Sequence, residues 1–190
     1  MRSVSSQPIR KSRRPCDDEW SLARHGDYIA KASGTCAIET LSTQLYWLCE
    51  LAGHLSPVLL DTIHKPYGWT IREVFSHGLD AERHFGLRML QLAAGDVDAM
   101  QPFDEQAYVS ARFGLGNFTF LVSEWGALRQ SNLYLLQRIR PGCWNHRGSI
   151  EGHTLTLRAL AWVTAGHLQH HLDIVETRIG FSVDHEPPRA

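Results

Sequence analysis

Apolar positions along the chain fall into four blocks with helical spacing. Between about residues 35 and 54, Ile38, Leu41, Leu45, Leu48 and Ala52 recur at steps of three and four, which puts them on one stripe of a helix that ends before Ser56-Pro57. A second block, about 70 to 93, aligns Ile71, Val74, Gly78, Ala81, Phe85, Met89 and Leu92. Thr70, with Glu73 three residues on, has the pattern of a capping box, and Gly95 stops the block. The third, about 118 to 140, sets Phe118, Leu121, Trp125, Leu128, Leu135 and Ile139 in register between Asn117 and Pro141-Gly142, with Asn132 interrupting the stripe. The fourth and longest, about 154 to 179, ends at Gly180, a residue suited to the position past a helix end. No convincing period-two alternation with hairpin turns accompanies them. The pattern therefore predicts an all-α fold, a four-helix bundle, whose core is a common place for metal sites built from facing helices. The link over about 94 to 116 is long for a compact domain, and is expected to carry a short helix of its own or to border a pocket.

Composition narrows the function. At 190 residues and 43% hydrophobic content the chain suits one domain with a real core. Neither a membrane-length apolar run nor a secretory leader is visible, so a cytoplasmic protein is expected, without a membrane partner. Cys16, Cys36, Cys49 and Cys143 contain no C-x-x-C pair, which predicts reduced thiols rather than a disulfide framework or a thiolate zinc site. Cys49 and Cys143 read as buried, inert thiols. The net charge of −1 hides an asymmetry: residues 1–15 hold five basic side chains and no acid, which leaves 14 basic against 20 acidic elsewhere. A mildly acidic body argues against a nucleic-acid groove, and the basic start reads as a solvated arm.

The fourth block contains "HLQHH", three histidines in five positions of an apolar helix. His167 and His171, four residues apart, differ by only about 40° in direction and one turn in height, so both rings can reach one point in the bundle. His170 lies at the edge of the apolar arc, a group for the rim of a pocket. On this pattern alone the pair is either satisfied by neighbours or bound to a metal, and a metal needs a third ligand from another helix. His77, at the flank of the second stripe, can turn into the bundle. His84, about two turns further along and roughly 10 Å away, cannot readily share an ion with it. Asp80 and Glu82 are near enough in sequence to be ligands, partners or a general base, or to be ordinary solvated or interhelical charges. Arg129, Arg138 and Tyr108 suit an anionic substrate less well than surface charge and loop packing, and Trp125, Trp144 and Trp162 suit the core.

Taken together, "GWTIREVFSHGLDAERHF", "FDEQAYV" and "HLQHHLDI" resemble the DinB-like family, also called the DinB/YfiT-like metalloenzymes, over about residues 36 to 180. The resemblance implies a four-helix bundle in which Trp69 opens the second helix, His77, His167 and His171 hold one divalent ion, and Asp80, Glu82 and Arg83 match the family's acidic stretch. It divides the chain into an N-terminal extension (1–30), a DinB-like domain (31–182) and a tail (183–190), and suggests a homodimer. An all-imidazole set suits zinc or nickel, with iron as a further choice. Thiol-dependent transferases and isomerases within the family imply that such chemistry on a small molecule, with a low-molecular-weight thiol as partner, is the first expectation. A metal-dependent hydrolase is the second, and a non-catalytic metal-binding or stress-associated protein the third, because a shared fold and metal do not fix a reaction.

Overall fold

The computed structural model describes residues 11–96, 100–111, 116–150 and 152–185. Its helices are α1 (Ala23–Lys31), α2 (Ala37–Gly53), α3 (Pro57–Asp61), α4 (Ile71–Ala94), α5 (Glu105–Ala111), α6 (Phe118–Arg138) and α7 (Leu157–Ile179), with two strands, β1 (Arg147–Ile150) and β2 (His153–Thr156). The four periodic blocks are α2, α4, α6 and α7. They form a bundle in which α2 meets α6 and α7, and α4 meets the same two helices, so α2 and α4 stand at opposite corners. Among the described residues no helix is long and apolar enough to cross a membrane.

Local signals set the helix ends. Thr70 and Glu73 form the reciprocal capping box, and Gly95 takes the left-handed conformation (φ 83°) beyond α4. Asn117 caps α6 by accepting from the Thr119 amide at 2.9 Å, and Gly180 closes α7 at φ 65°. The start of α7 departs from the sequence reading. Residues 153–156 pair antiparallel with 147–150, and Thr156 both ends that strand and caps the helix, accepting from the Ala159 amide at 3.0 Å. Two strands of four residues are too short to impose a period of two, which is why the hairpin escaped the pattern. The long link carries the short helix α5, as expected.

The extension expected over residues 1–30 is, from Lys11 on, packed into the body; residues 1–10 lie outside the described part. Lys11 donates from Nζ to the carbonyls of Leu136, Gln137 and Ile139 at 3.2, 2.6 and 3.1 Å, a cation at the carbonyl end of α6. The guanidinium of Arg14 lies over the Trp162 ring, 4.5 Å from its centroid. Helix α1 packs along α7, where Gly166 makes room: a Cβ there would stand 1.7 Å from the Tyr28 carbonyl oxygen. At the other end, the Val183 amide donates to Glu176 and His185 stacks on Trp47.

Two apolar clusters fill the bundle. One gathers α1, the start of α2 and α7 and the ends of α4 and α6 around Trp144 and Trp162; the other gathers the opposite halves around Trp47 and Trp125. All three tryptophans assigned to the core from sequence, Trp125, Trp144 and Trp162, are buried there. Between the clusters runs a polar layer that holds His77, Glu82, Arg129 and His167.

Candidate metal centre

His77 sits on the second turn of α4, facing α7, and His167 and His171 occupy successive turns of α7. The residue after His77 is Gly78, whose missing side chain lets the Trp125 indole press against α4; a Cβ would meet that ring at 2.1 Å. On the far side Tyr28 closes over His167, ring centroids 5.4 Å apart, because Gly166 lets α1 approach. Two close approaches thus flank the three histidines, a ring on Gly78 and a backbone on Gly166.

Nε2 of His167 lies 3.2 Å from Nε2 of His77 and 3.2 Å from Nε2 of His171. One potential ligand atom from each ring falls within 4.8 Å of the others. His77 and His167 are buried and His171 is half-buried. Burial first, and then the neighbouring imidazoles, hold His167 and His171 well below the ordinary histidine range. Burial lowers His77 as well, opposed by the carboxylate of Glu105. All three rings are therefore neutral near pH 7, with lone pairs free to bind.

The cluster does not satisfy itself. Nε2 of His167 has one in-plane lone pair or one hydrogen, so it makes a good hydrogen bond with only one of its two neighbours. Nδ1 of His77 and Nδ1 of His171 are buried and meet no partner among the described residues. A divalent cation accepts all three lone pairs at once, and two imidazoles each about 2.0–2.1 Å from a tetrahedral ion stand about 3.3 Å apart. The two separations of 3.2 Å about His167 fit that spacing.

A cavity of about 520 Å³ opens onto the centre, with His167 in its lining. Its walls include Tyr28, Trp69, Phe85 and Phe103, and its polar members include Arg24, His25, Arg88 and Glu105. The link before α5 forms one side: Phe103 stacks on His84 at 4.2 Å, and the Trp69 indole donates to Gln106 at 3.3 Å. Trp69, which opens α4 as the family pattern implies, also lies 5.2 Å from the His77 ring. The volume is within the roughly 300–1,000 Å³ of small-molecule sites.

Several residues weighed from sequence lie elsewhere. Glu82 is no free general base: it faces α6 and α2, where Arg129 donates to its two oxygens at 2.9 and 2.7 Å and Asn132 adds a bond at 2.8 Å. The same contacts remove Arg129 from any anion site or surface. Asp80 pairs with Arg83 at 3.2 Å, on the side of α6 marked by the Arg83–Glu124 pair; burial raises its pKa. Arg138 is exposed on a separate groove between α4 and α6. Tyr108 packs by Phe103 and His84, beside the cavity rather than in its lining. His170 turns toward α1, its ring 5.9 Å from that of Tyr28, and is not in the lining either. Cys49, read as buried, is exposed on α2, and Cys143 is half-buried; all four thiols are free. Sequence reasoning passed over Arg24 and Glu105. Glu105 belongs to the quoted "FDEQAYV" and could have been picked out as an acid in a link expected to border a pocket. Arg24 carried no signal.

A family model described as the DinB superfamily matches residues 44–175. YfiT from Bacillus subtilis, whose solved structure is described as that of a probable metal-dependent hydrolase with an unusual four-helix bundle topology, is similar to this chain with a TM-score of 0.66. The match covers 90% of this chain and 99% of YfiT at 18% identity, a likeness of fold. No curated protein matches the chain.

Proposed function

The chain belongs to the DinB superfamily, and from that premise we propose that it is a metal-dependent hydrolase of a small molecule, with one divalent ion held by His77, His167 and His171. The observation that carries this reading is the convergence of three imidazole nitrogens, two of them on buried rings, within 4.8 Å, with His167 lining a cavity of ligand size. Three neutral nitrogen ligands leave coordination open, which suits a catalytic rather than a structural site. Zinc and nickel fit the donor set, and ferrous iron also does. When bound, the ion supplies Lewis acidity toward an electrophilic carbon or phosphorus.

The protein's own groups do the rest. Tyr28, Trp69, Phe85 and Phe103 shield the reacting atoms from bulk water. Glu105, on the cavity wall and close enough for its charge to act on His77, takes the proton of the attacking water and returns it to the leaving group. The description of YfiT as a probable hydrolase favours this chemistry. The thiol-dependent transferase implied by the family resemblance gains no support from the site or from the comparisons.

The test is a screen of zinc-, nickel- and iron-loaded protein against chromogenic esters, amides and phosphoesters, beside thiol–electrophile pairs. Hydrolysis that needs the metal and is lost in His167→Ala is expected. Consumption of electrophile only when a thiol is present would replace hydrolysis with transfer, and one bound ion without turnover of either panel would leave a metal-binding protein.

A further inference from the structure

Arg24 stands out among the cavity residues because its charge is held in place without being neutralised. Its guanidinium donates from Nε and Nη2 to the Tyr28 hydroxyl at 3.2 and 2.9 Å, a neutral partner that fixes its position. It lies over the same ring, 5.5 Å from the centroid. No ion pair joins Arg24 to any described carboxylate; Glu105, also in the cavity lining, acts on it through its charge without a contact. Tyr28, which anchors Arg24, is also the ring packed against His167, so the guanidinium and the histidine centre share one wall of one cavity. The same cavity is lined by the apolar Phe85, whose ring packs against His167, and by Val163.

A positioned, unpaired guanidinium beside an apolar wall is the arrangement that recognises a carboxylate on a hydrophobic body. We propose that the cavity selects monoanionic small molecules of this kind, an aromatic or branched-aliphatic carboxylate, with the carboxylate on Arg24 and the apolar part over Tyr28 and Phe85 toward His167. Asp104 and Glu105, also in the lining, oppose a second negative charge on the ligand. This deepens the proposed hydrolase reading by naming its substrate class, and rests on that reading for where the ligand's reactive part ends up.

Binding can be measured without turnover. Chelator-treated, metal-free protein is titrated by calorimetry with phenylacetate and with its neutral analogue phenylacetamide, so that no carboxylate reaches an ion. The acid is expected to bind at least about tenfold more tightly than the amide. Arg24→Gln should abolish that preference, Arg24→Lys should keep part of it, and Arg138→Gln, on the separate groove, should leave it intact. The triple variant His77→Ala/His167→Ala/His171→Ala should also keep the preference. If wild-type protein fails to take up metal but the Arg24-dependent preference persists, the metal reading falls and this one stands. Equal binding of acid and amide, no binding of either, or an undiminished preference in Arg24→Gln would overturn it.

Discussion

The polar layer of the bundle contains two clusters that differ in one respect. On the side of α6 and α2, Arg129 spends its donors on both oxygens of Glu82, on the Leu41 carbonyl at 3.1 Å and on Gln44 at 3.4 Å, while Asn132 supports Glu82. Both charged groups are almost fully buried, at 1% and 2% exposure, and every contact is matched. On the side of α7, three imidazoles point the same kind of atom at one another and two of their other nitrogens meet no partner among the described residues. Both clusters cost desolvation, but only the first recovers it from the protein itself. A self-satisfied cluster holds helices in register; an unsatisfied one is built for a group that arrives from outside.

The largest expected effect breaks the first cluster. Arg129→Ala leaves Glu82 buried and unpaired and should cost about 3–5 kcal/mol in urea denaturation. The paired change Glu82→Leu with Arg129→Met should recover most of it. A loss below about 1 kcal/mol for Arg129→Ala would mean the pair is not the closed unit described. The second cluster should respond to metal instead. At a free-ion concentration a hundredfold above Kd, wild-type protein should gain about 2.7 kcal/mol, and His171→Ala should lose most of that gain while changing metal-free stability by less than about 2 kcal/mol. His84→Ala should keep the gain.

A smaller effect concerns the approach of α1 that covers the centre. In Gly166→Ala the new methyl meets backbone, the Tyr28 carbonyl, so α1 must move; a loss of about 1–3 kcal/mol is expected, with weakened binding in the cavity. Unchanged stability would show that α1 is not fixed there. A pH-dependent effect is expected at His25, whose Nδ1, like those of His77 and His171, meets no partner among the described residues. Burial, with the charges of His153, Arg88 and Arg24, lowers its pKa to about 4. Between that value and the unfolded value of about 6.5 the unfolded chain holds a proton that the folded one lacks. Its contribution is therefore fully present above about pH 6.5, fades as the pH falls toward 4, and is level below. Melting temperature against pH should flatten over that window in His25→Gln.

The sequence made the two clusters unequally visible. Helical spacing alone places His167 and His171 on one face of α7, and the resemblance adds His77; the structure brings these three rings together. The sequence leaves Glu82 open between a site group and a solvated or interhelical charge, and the interhelical alternative is what the structure shows; Arg129 reads as surface charge, although it is four residues from Trp125 and four from Leu133, on the same buried face. Periodicity cannot tell a paired buried charge from a solvated one when its partner is 47 residues away. Arg24 was beyond reach for a related reason, and so was its place beside Glu105. The two line one cavity only because α1 docks on α7 at Gly166, a contact between distant segments that a lone glycine in an apolar helix does not announce.

Elemental analysis of untagged protein, after incubation with zinc, nickel and ferrous iron and removal of the excess, tests the contrast between the clusters most directly. About one divalent ion per chain in wild type, retained in the Glu82→Leu/Arg129→Met variant and absent from His77→Ala/His167→Ala/His171→Ala, is the predicted result. No bound ion in the wild type, or an ion that survives loss of all three histidines, would contradict the assignment of the unsatisfied cluster to a metal.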